Sequence, residues 1–338
     1  MTTNPHPYLC DRVDHMAQTR PGGIALISGD TELTYAQLAA QSAELAHDLA
    51  AYALPTNRPV MVALPRGPEQ IVAMLAIWRA GLVYLPVDHR DPPRRHNEIR
   101  HATGAVATLT LQPSASTHTQ TVTITPHIPV TNAPSAGSPT VDASEIAYVI
   151  FTSGSTGHPK GIAASHDALA SLLDQLVARY EITATDRVLQ FAASTFDTSI
   201  EQIGVSLAAG ATLVLPETLW APSEFHDKIS QAGVTVMDLT PSYWREVVGH
   251  STDADVADQS IRLLILGGAA VSNRDLKDAR ALYPHARVLN AYGLTETGIT
   301  LSSPEFCRGI SIWKLMPTPE QAAARGLLRT RQEARARS

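Results

Sequence analysis

Between Tyr148 and Ile162 the chain reads YVIFTSGSTGHPKGI, an apolar strand that runs into small and hydroxylated residues and ends on a lysine. This composition suits a phosphate group. Gly154 and Gly157 allow backbone with φ > 0 and a close approach to an anion, so that successive N–H groups can point at phosphate oxygens. Thr152, Ser153, Ser155 and Thr156 add hydroxyl donors, and Lys160 adds a mobile positive charge. The Walker A loop has four residues between its glycines and a Gly-Lys-Ser/Thr ending. Here two residues separate the glycines and Pro159 precedes the lysine, so this is a different phosphate loop. In isolation a Gly/Ser cluster marks only a turn between a buried strand and a helix; the length of the pattern argues for more.

Such a loop must be held by a sheet, and the flanking sequence predicts one. Residues 35–52 read as an amphipathic helix, 60–64 as a strand, 68–81 as a helix with proline in its first turn and 83–87 as a strand. The rhythm returns with strands over 187–193, 212–215, 234–239 and 262–266, a helix after Phe196 and another near 274–282. This alternation predicts an α/β protein whose mostly parallel sheets are covered by helices. Between Gln112 and Ser144 the composition turns to Pro, Ser and Thr, which predicts a loop or weak edge strand separating two subdomains, about 10–140 and 145–304. From Glu305 to Ser338 seven Lys/Arg stand against three Glu and no strand alternation continues. That segment is expected to be a solvated basic tail or a short terminal helix; a lost coding frame is the second reading.

Bulk properties narrow the function. With 338 residues, 44% hydrophobic and 17% charged, the chain is long enough for one large core or two. A net charge of −6, with no basic concentration in the first 300 residues, favours neither nucleic acid nor an anionic membrane as partner. No run of about 18 apolar residues occurs, and MTTNPHPYLC has neither a charged n-region nor an apolar h-region, so a cytoplasmic protein is expected. Cys10 and Cys307 lie near opposite ends and give no disulfide framework. Thirteen histidines are scattered, without HExxH or zinc-spaced cysteine pairs.

Thr152 to Gly161 match the TSGSTGxPKG signature of the adenylate-forming, AMP-binding superfamily, which includes acyl-CoA synthetases, luciferases and the adenylation domains of nonribosomal peptide synthetases. Leu33–Leu38 (LTYAQL) and Arg79–Asp88 (RAGLVYLPVD) resemble the first two core motifs of the peptide synthetase branch. Phe196–Ser199 (FDTS) resembles the next motif and Asn290–Thr297 (NAYGLTET) the one after it. The resemblance covers roughly residues 20–304. It implies the large N-terminal part of an adenylation domain, with two stacked α/β subdomains over about 10–304, C-terminally truncated and followed by an unmatched tail.

The resemblance also implies a reaction: a substrate carboxylate attacks the α-phosphorus of ATP, giving an aminoacyl adenylate and pyrophosphate. Lys160, Thr295 and Glu296 would be catalytic, with Glu296 the contact for Mg²⁺, a hard cation that prefers carboxylate oxygen. Thr152, Ser153, Gly154, Ser155, Thr156 and Gly157 would hold phosphates, Gly267 and Gly268 would pass the base, and Tyr292 would lie against it, in a motif shared with Asn290 and Gly293. Asp197, at the mouth of a helix, could neutralise an α-ammonium group, cap the helix, or do both. Thr198, Glu201, Ser242, Ile265, Ala291, Ile299 and Thr300 would line the side-chain pocket together with Gly267. An acidic Glu201 in that wall favours a cationic amino acid such as ornithine, lysine or arginine.

In complete enzymes of this kind the adenylate reacts with phosphopantetheine on a separate carrier domain, so a carrier protein or a complementing C-terminal domain is an expected partner. The family's ribose-binding TGD motif, hinge and terminal lysine do not follow Glu305, and Lys314 has no glycine-lysine setting. An isolated chain of this extent is expected to adenylate weakly or not at all. Leu294 departs from the peptide synthetase proline and is common among acyl-CoA ligases, so an acyl or aryl CoA ligase fragment stays open, as does a noncatalytic ATP or amino acid binding protein.

Overall fold

A computed structural model describes residues 8–111, 120–123, 145–152, 160–251, 260–291 and 310–313. Its strands are β1 (Ile24–Ser28), β2 (Thr31–Thr34), β3 (Pro59–Val62), β4 (Val83–Pro86), β5 (Ala107–Thr110), β6 (Gln120–Thr123), β7 (Ile146–Thr152), β8 (Lys160–Ser165), β9 (Arg187–Leu189), β10 (Thr212–Val214), β11 (Val236–Leu239), β12 (Leu263–Leu266), β13 (Arg287–Asn290) and β14 (Ile310–Trp313). One sheet runs β13-β12-β11-β9-β10-β1-β2 and the other β14-β8-β7-β4-β3-β5-β6. Pairing is parallel except for β1 with β2, β7 with β8 and β8 with β14. This is the mostly parallel α/β architecture that the sequence rhythm predicts.

The helices are α1 (Leu9–Thr19), α2 (Tyr35–Ala51), α3 (Pro68–Arg79), α4 (Pro93–Thr103), α5 (His166–Tyr180), α6 (Asp197–Ala208), α7 (Phe225–Ala232), α8 (Pro241–His250) and α9 (Asn273–Leu282). Local sequence sets their starts. Thr34 and Gln37 form a capping box on α2, Pro68 opens α3, and the hydroxyl of Thr240 accepts from the amide of Tyr243 at the start of α8. α3 is buried from Gln70 to Arg79 and α6 from Ser199 to Leu207, the burial of helices packed on all sides. At Gly204 a Cβ would come within 2.5 Å of Leu173 on α5, so the glycine lets the two helices touch. One large apolar cluster includes residues of both sheets, among them Leu26, Val60, Tyr148 and Leu263, together with Ile200 of α6. Trp78 of α3 donates its indole N–H to the carbonyl of Ala147 on β7 at 2.7 Å.

The structure departs from the sequence reading in the division between the sheets and in the segment after residue 304. The division between the sheets does not fall near residues 140–145. β1 and β2 belong to the sheet of β9–β13, with Leu26 paired to Leu213, whereas β7 and β8 belong with β3–β6. Chain order carries no trace of this exchange. Within 305–338, where composition predicts no further strand, Ile310–Trp313 pairs with β8, because an apolar ISIW run supplies an edge for it. Within the Pro/Ser/Thr stretch, where the sequence reading allows a weak edge strand, the described residues 120–123 form β6, which pairs parallel with β5 at the sheet edge.

Candidate functional site

In the first sheet the parallel strands β11, β12 and β13 end in register, with Leu239 opposite Leu266 and Leu266 opposite Asn290. Ligands of open α/β sheets bind outside the carboxyl ends of strands. Just beyond this edge the chain is almost bare of side chains. Gly267 donates its N–H to Leu239 O at 3.2 Å, and Ala291 donates to Leu266 O at 2.8 Å. A Cβ on Gly267 would stand 3.0 Å from the carbonyl oxygen of Ala291, so glycine suits this close approach of two backbones. Gly268 has φ +77° and is exposed, as are Ala269, Ala270 and Asn290. Among the described residues, Gly267, Gly268, Ala269, Ala270 and Ala291 thus offer a backbone surface with little side chain, against which a flat ring could lie.

The helix α6 starts nearby and is built differently. Phe196 is extended and 63% exposed, and Asp197 is the first helical residue, only 7% exposed. The Asp197 carboxylate accepts the N–H of Thr198 at 2.8 Å, at the positive end of the helix dipole, which favours an anion there. Ser199 fixes the turn by donating to Phe196 O at 2.7 Å. One turn on, Glu201 is buried and its Oε1 accepts the phenol O–H of Tyr180 at 2.8 Å. Gln202 donates its Nε2–H to the backbone carbonyl of Asp238 on β11 at 3.2 Å.

These groups share an acidic neighbourhood. Burial, and then the charge of Glu201, hold the partly buried Asp238 carboxyl well above the ordinary carboxylate range, against a weaker opposing contribution from Gln202. On β7 of the other sheet, burial followed by the charges of Asp197 and Glu201 pushes the Tyr148 phenol up. The two α6 carboxylates thus lie within electrostatic reach of a tyrosine on β7, and Glu201 within reach of Asp238 on β11. Such a region suits a ligand with positive charge at more than one point.

Of the residues singled out in the sequence, Asp197, Thr198 and Glu201 lie on the first turns of α6, and Gly267, Gly268, Asn290 and Ala291 lie together at the carboxyl edge. Ile265 is buried on β12, in register with Asp238. Ser242 is exposed on the first turn of α8, its hydroxyl 3.2 Å from that of Thr240. The acid that meets α6 from β11 is Asp238, which the sequence reading missed. Its signal was an aspartate inside the apolar run VTVMDL. Backbone pairing of Thr152 with Lys160 closes the glycine and hydroxyl loop as the connection of a hairpin. Ser153, Gly154, Ser155, Thr156, Gly157, Tyr292, Gly293, Thr295, Glu296, Ile299 and Thr300 lie outside the described residues. Among the described residues no group of three His, Cys, Asp or Glu is arranged to hold a metal ion, and no helix is long and apolar enough to cross a membrane.

Comparison with known proteins gives this geometry a context. The profile of the AMP-binding enzyme family matches residues 13–323. The isonitrile lipopeptide synthase of Streptomyces coeruleorubidus is 36% identical over 296 residues, 85% of this chain and 20% of that protein. A linear gramicidin synthase of Brevibacillus parabrevis is 35% identical over 298 residues, again 85% of this chain but 4% of that protein. The chain thus spans a fifth or less of the length of these relatives. The AMPPNP-bound form of the nonribosomal peptide synthetase FmoA3 (S1046A) superposes with a TM-score of 0.79 at 27% identity, covering 93% of this chain and 34% of that one. The N-terminal subdomain of Klebsiella oxytoca NpsA in complex with 3-hydroxybenzoyl-AMSN gives 0.76 at 25% identity, covering 90% and 78%.

Proposed function

Since this chain belongs to the AMP-binding enzyme family and is similar to nonribosomal peptide synthetases, we propose that it binds ATP and an amino acid with a cationic side chain and serves the formation of the aminoacyl adenylate. The substrate carboxylate attacks the α-phosphorus, an acyl–phosphate bond forms, and the bond to the β-phosphate breaks as pyrophosphate leaves. The observation that carries the reading is Asp197, buried at the first turn of α6 with Glu201 and Asp238 in the same neighbourhood.

Each group then has a task. Asp197 accepts the α-ammonium, which aims the carboxylate away from α6. Glu201 and Asp238 face the cationic end of the side chain, and an aliphatic end would leave their charge uncompensated. Thr198, Ile265, Gly267 and Ala291 complete the wall, with Ser242, Ile299 and Thr300 assigned to it from the motifs. The backbone at Gly267 and Gly268 passes the base, with Tyr292, Asn290 and Gly293 from the adjoining motif. Lys160 and the hydroxyls of residues 152–156 take the phosphates. Glu296, with Thr295 beside it, is the proposed contact for Mg²⁺, which offsets charge on the leaving group when bound. Transfer to phosphopantetheine on a carrier domain is the step that consumes the adenylate.

The test is amino-acid-dependent exchange of pyrophosphate into ATP, surveyed over the common amino acids and ornithine, with calorimetric binding of each amino acid in parallel. A cationic amino acid should bind, with exchange weak at most in a chain of this extent, and Asp197→Ala should weaken that binding strongly and remove any exchange. Selection of an aliphatic or aromatic amino acid would overturn the substrate class. Binding of ATP alone, with no amino acid response, would overturn activation itself.

A further inference from the structure

We infer that Arg66 is a positioning residue for the amino acid end of the site, holding the segment between β9 and α6 whose far end is Asp197. The inference rests on the role of Asp197 proposed above. Arg66 belongs to the loop between β3 and α3, in the half of the molecule built on the other sheet. Its Nη1 donates to the backbone carbonyl and to the side-chain Oε1 of Gln190. Its Nη2 donates to Phe191 O at 2.9 Å and to Ala192 O at 3.0 Å. One guanidinium thus takes three consecutive carbonyls.

Carbonyls of successive residues in a strand point to opposite sides, so three that converge on one donor group mark a chain that has left the sheet just after Leu189 and turned. The planar fork of an arginine, with five donors in fixed directions, matches such a convergence, and a lysine would not. The opposite side of the segment is held as firmly. Gln202 Oε1 accepts the N–H of Phe191 at 2.9 Å and that of Ala192 at 3.0 Å. Gln190 is buried, takes its N–H to Val214 O at 2.9 Å and returns its Nε2–H to Ala192 O at 2.7 Å.

The network continues into the site. Gln202 follows Glu201 on α6, and its remaining N–H reaches the backbone of Asp238. A continuous set of hydrogen bonds therefore runs from Arg66, through residues 190–192 and Gln202, to Asp238. Among the described residues Arg66 has carbonyl partners only, so its charge there is used to fix residues 190–192 and not to neutralise an acid. Loss of Arg66 frees the segment leading to Asp197 while leaving the Gly267–Ala291 surface as it is.

The deciding experiment measures, on the 338-residue chain, calorimetric affinity for the amino acid that binds most tightly in the calorimetric survey and, separately, for a nonhydrolysable ATP analogue, in wild type, Arg66→Gln, Arg66→Lys and Gln202→Leu. Arg66→Gln should weaken amino acid binding about 10- to 100-fold, the scale of a displacement near 1 Å, and leave nucleotide affinity within about twofold. Arg66→Lys, which keeps charge and bulk, should fold and yet recover only part of the loss. Combined with Gln202→Leu, the effect should be less than additive, because both groups act through residues 190–192. Equal losses for both ligands, unchanged amino acid affinity, or full recovery with lysine would overturn the inference. Wild-type protein that binds the nucleotide analogue and no amino acid would instead overturn the reading of Asp197, and Arg66 with it.

Discussion

The two ends of the candidate site are built in opposite ways. At α6 it is made of side chains buried against one another: Asp197 on its own helix amide, Glu201 on Tyr180, Gln202 on Asp238. At the carboxyl edge of β12 and β13 it is made of backbone, with glycine and alanine in place of larger residues. The difference teaches where each end can change. On the proposed reading a substitution at α6 alters which ligand is accepted, whereas a Cβ added at Gly267 stands 3.0 Å from the carbonyl oxygen of Ala291, which must give way by a few tenths of an ångström.

The comparison can be broken most severely at Asp197. Asp197→Ala should weaken amino acid binding by about 10² to 10³, the cost of removing one partner from a buried charge pair, with nucleotide affinity nearly unchanged; calorimetry with each ligand checks both. Gly267→Val should do the reverse. Its side chain meets Ala291 O and should cost about 1–3 kcal/mol of stability, with loss of nucleotide affinity exceeding loss of amino acid affinity; thermal melts and the same titrations read this out.

Asp238→Asn sharpens the contrast through pH. Because its folded pKa is raised above the unfolded value, the share of stability from Asp238 is full below about pH 3.9 and lost as pH rises through the folded pKa. The asparagine variant should therefore melt higher than wild type at neutral pH, by a margin that vanishes in acid. It should also bind a cationic amino acid about tenfold more weakly, and the fall of wild-type affinity on acidification should flatten. Smallest of all, Ser272→Ala removes the capping box that Ser272 forms with Asp275 on α9 and should cost about 1 kcal/mol, leaving both affinities alone.

What was legible in the sequence follows the same division. The strands and helices of the α/β rhythm could be read because they are apolar runs with proline or threonine at their starts, as at Thr34 and Pro68. FDTS could be read because motif and helix start coincide. Asp238 could not: one acid at the end of an apolar strand looks like a strand boundary, and its meaning comes from Glu201 and Gln202, which arrive from a different element. Arg66 was hidden for the same reason, since its partners lie more than a hundred residues away. β8 escaped notice because KGIAAS lacks the β-branched alternation of a strand and owes its conformation to pairing on both sides.

The pairing of β1 with β10 sets a clock on the birth of this protein. Leu26 must await Leu213, made 187 residues later, and at about 5–20 residues per second the interval is roughly ten to forty seconds. Through that time the β1–β2 hairpin is a nascent chain with an apolar face and an open strand edge. A ribosome that stalls anywhere before residue 213 leaves it so, and the first-made strand of this sheet is thus among the last to be secured.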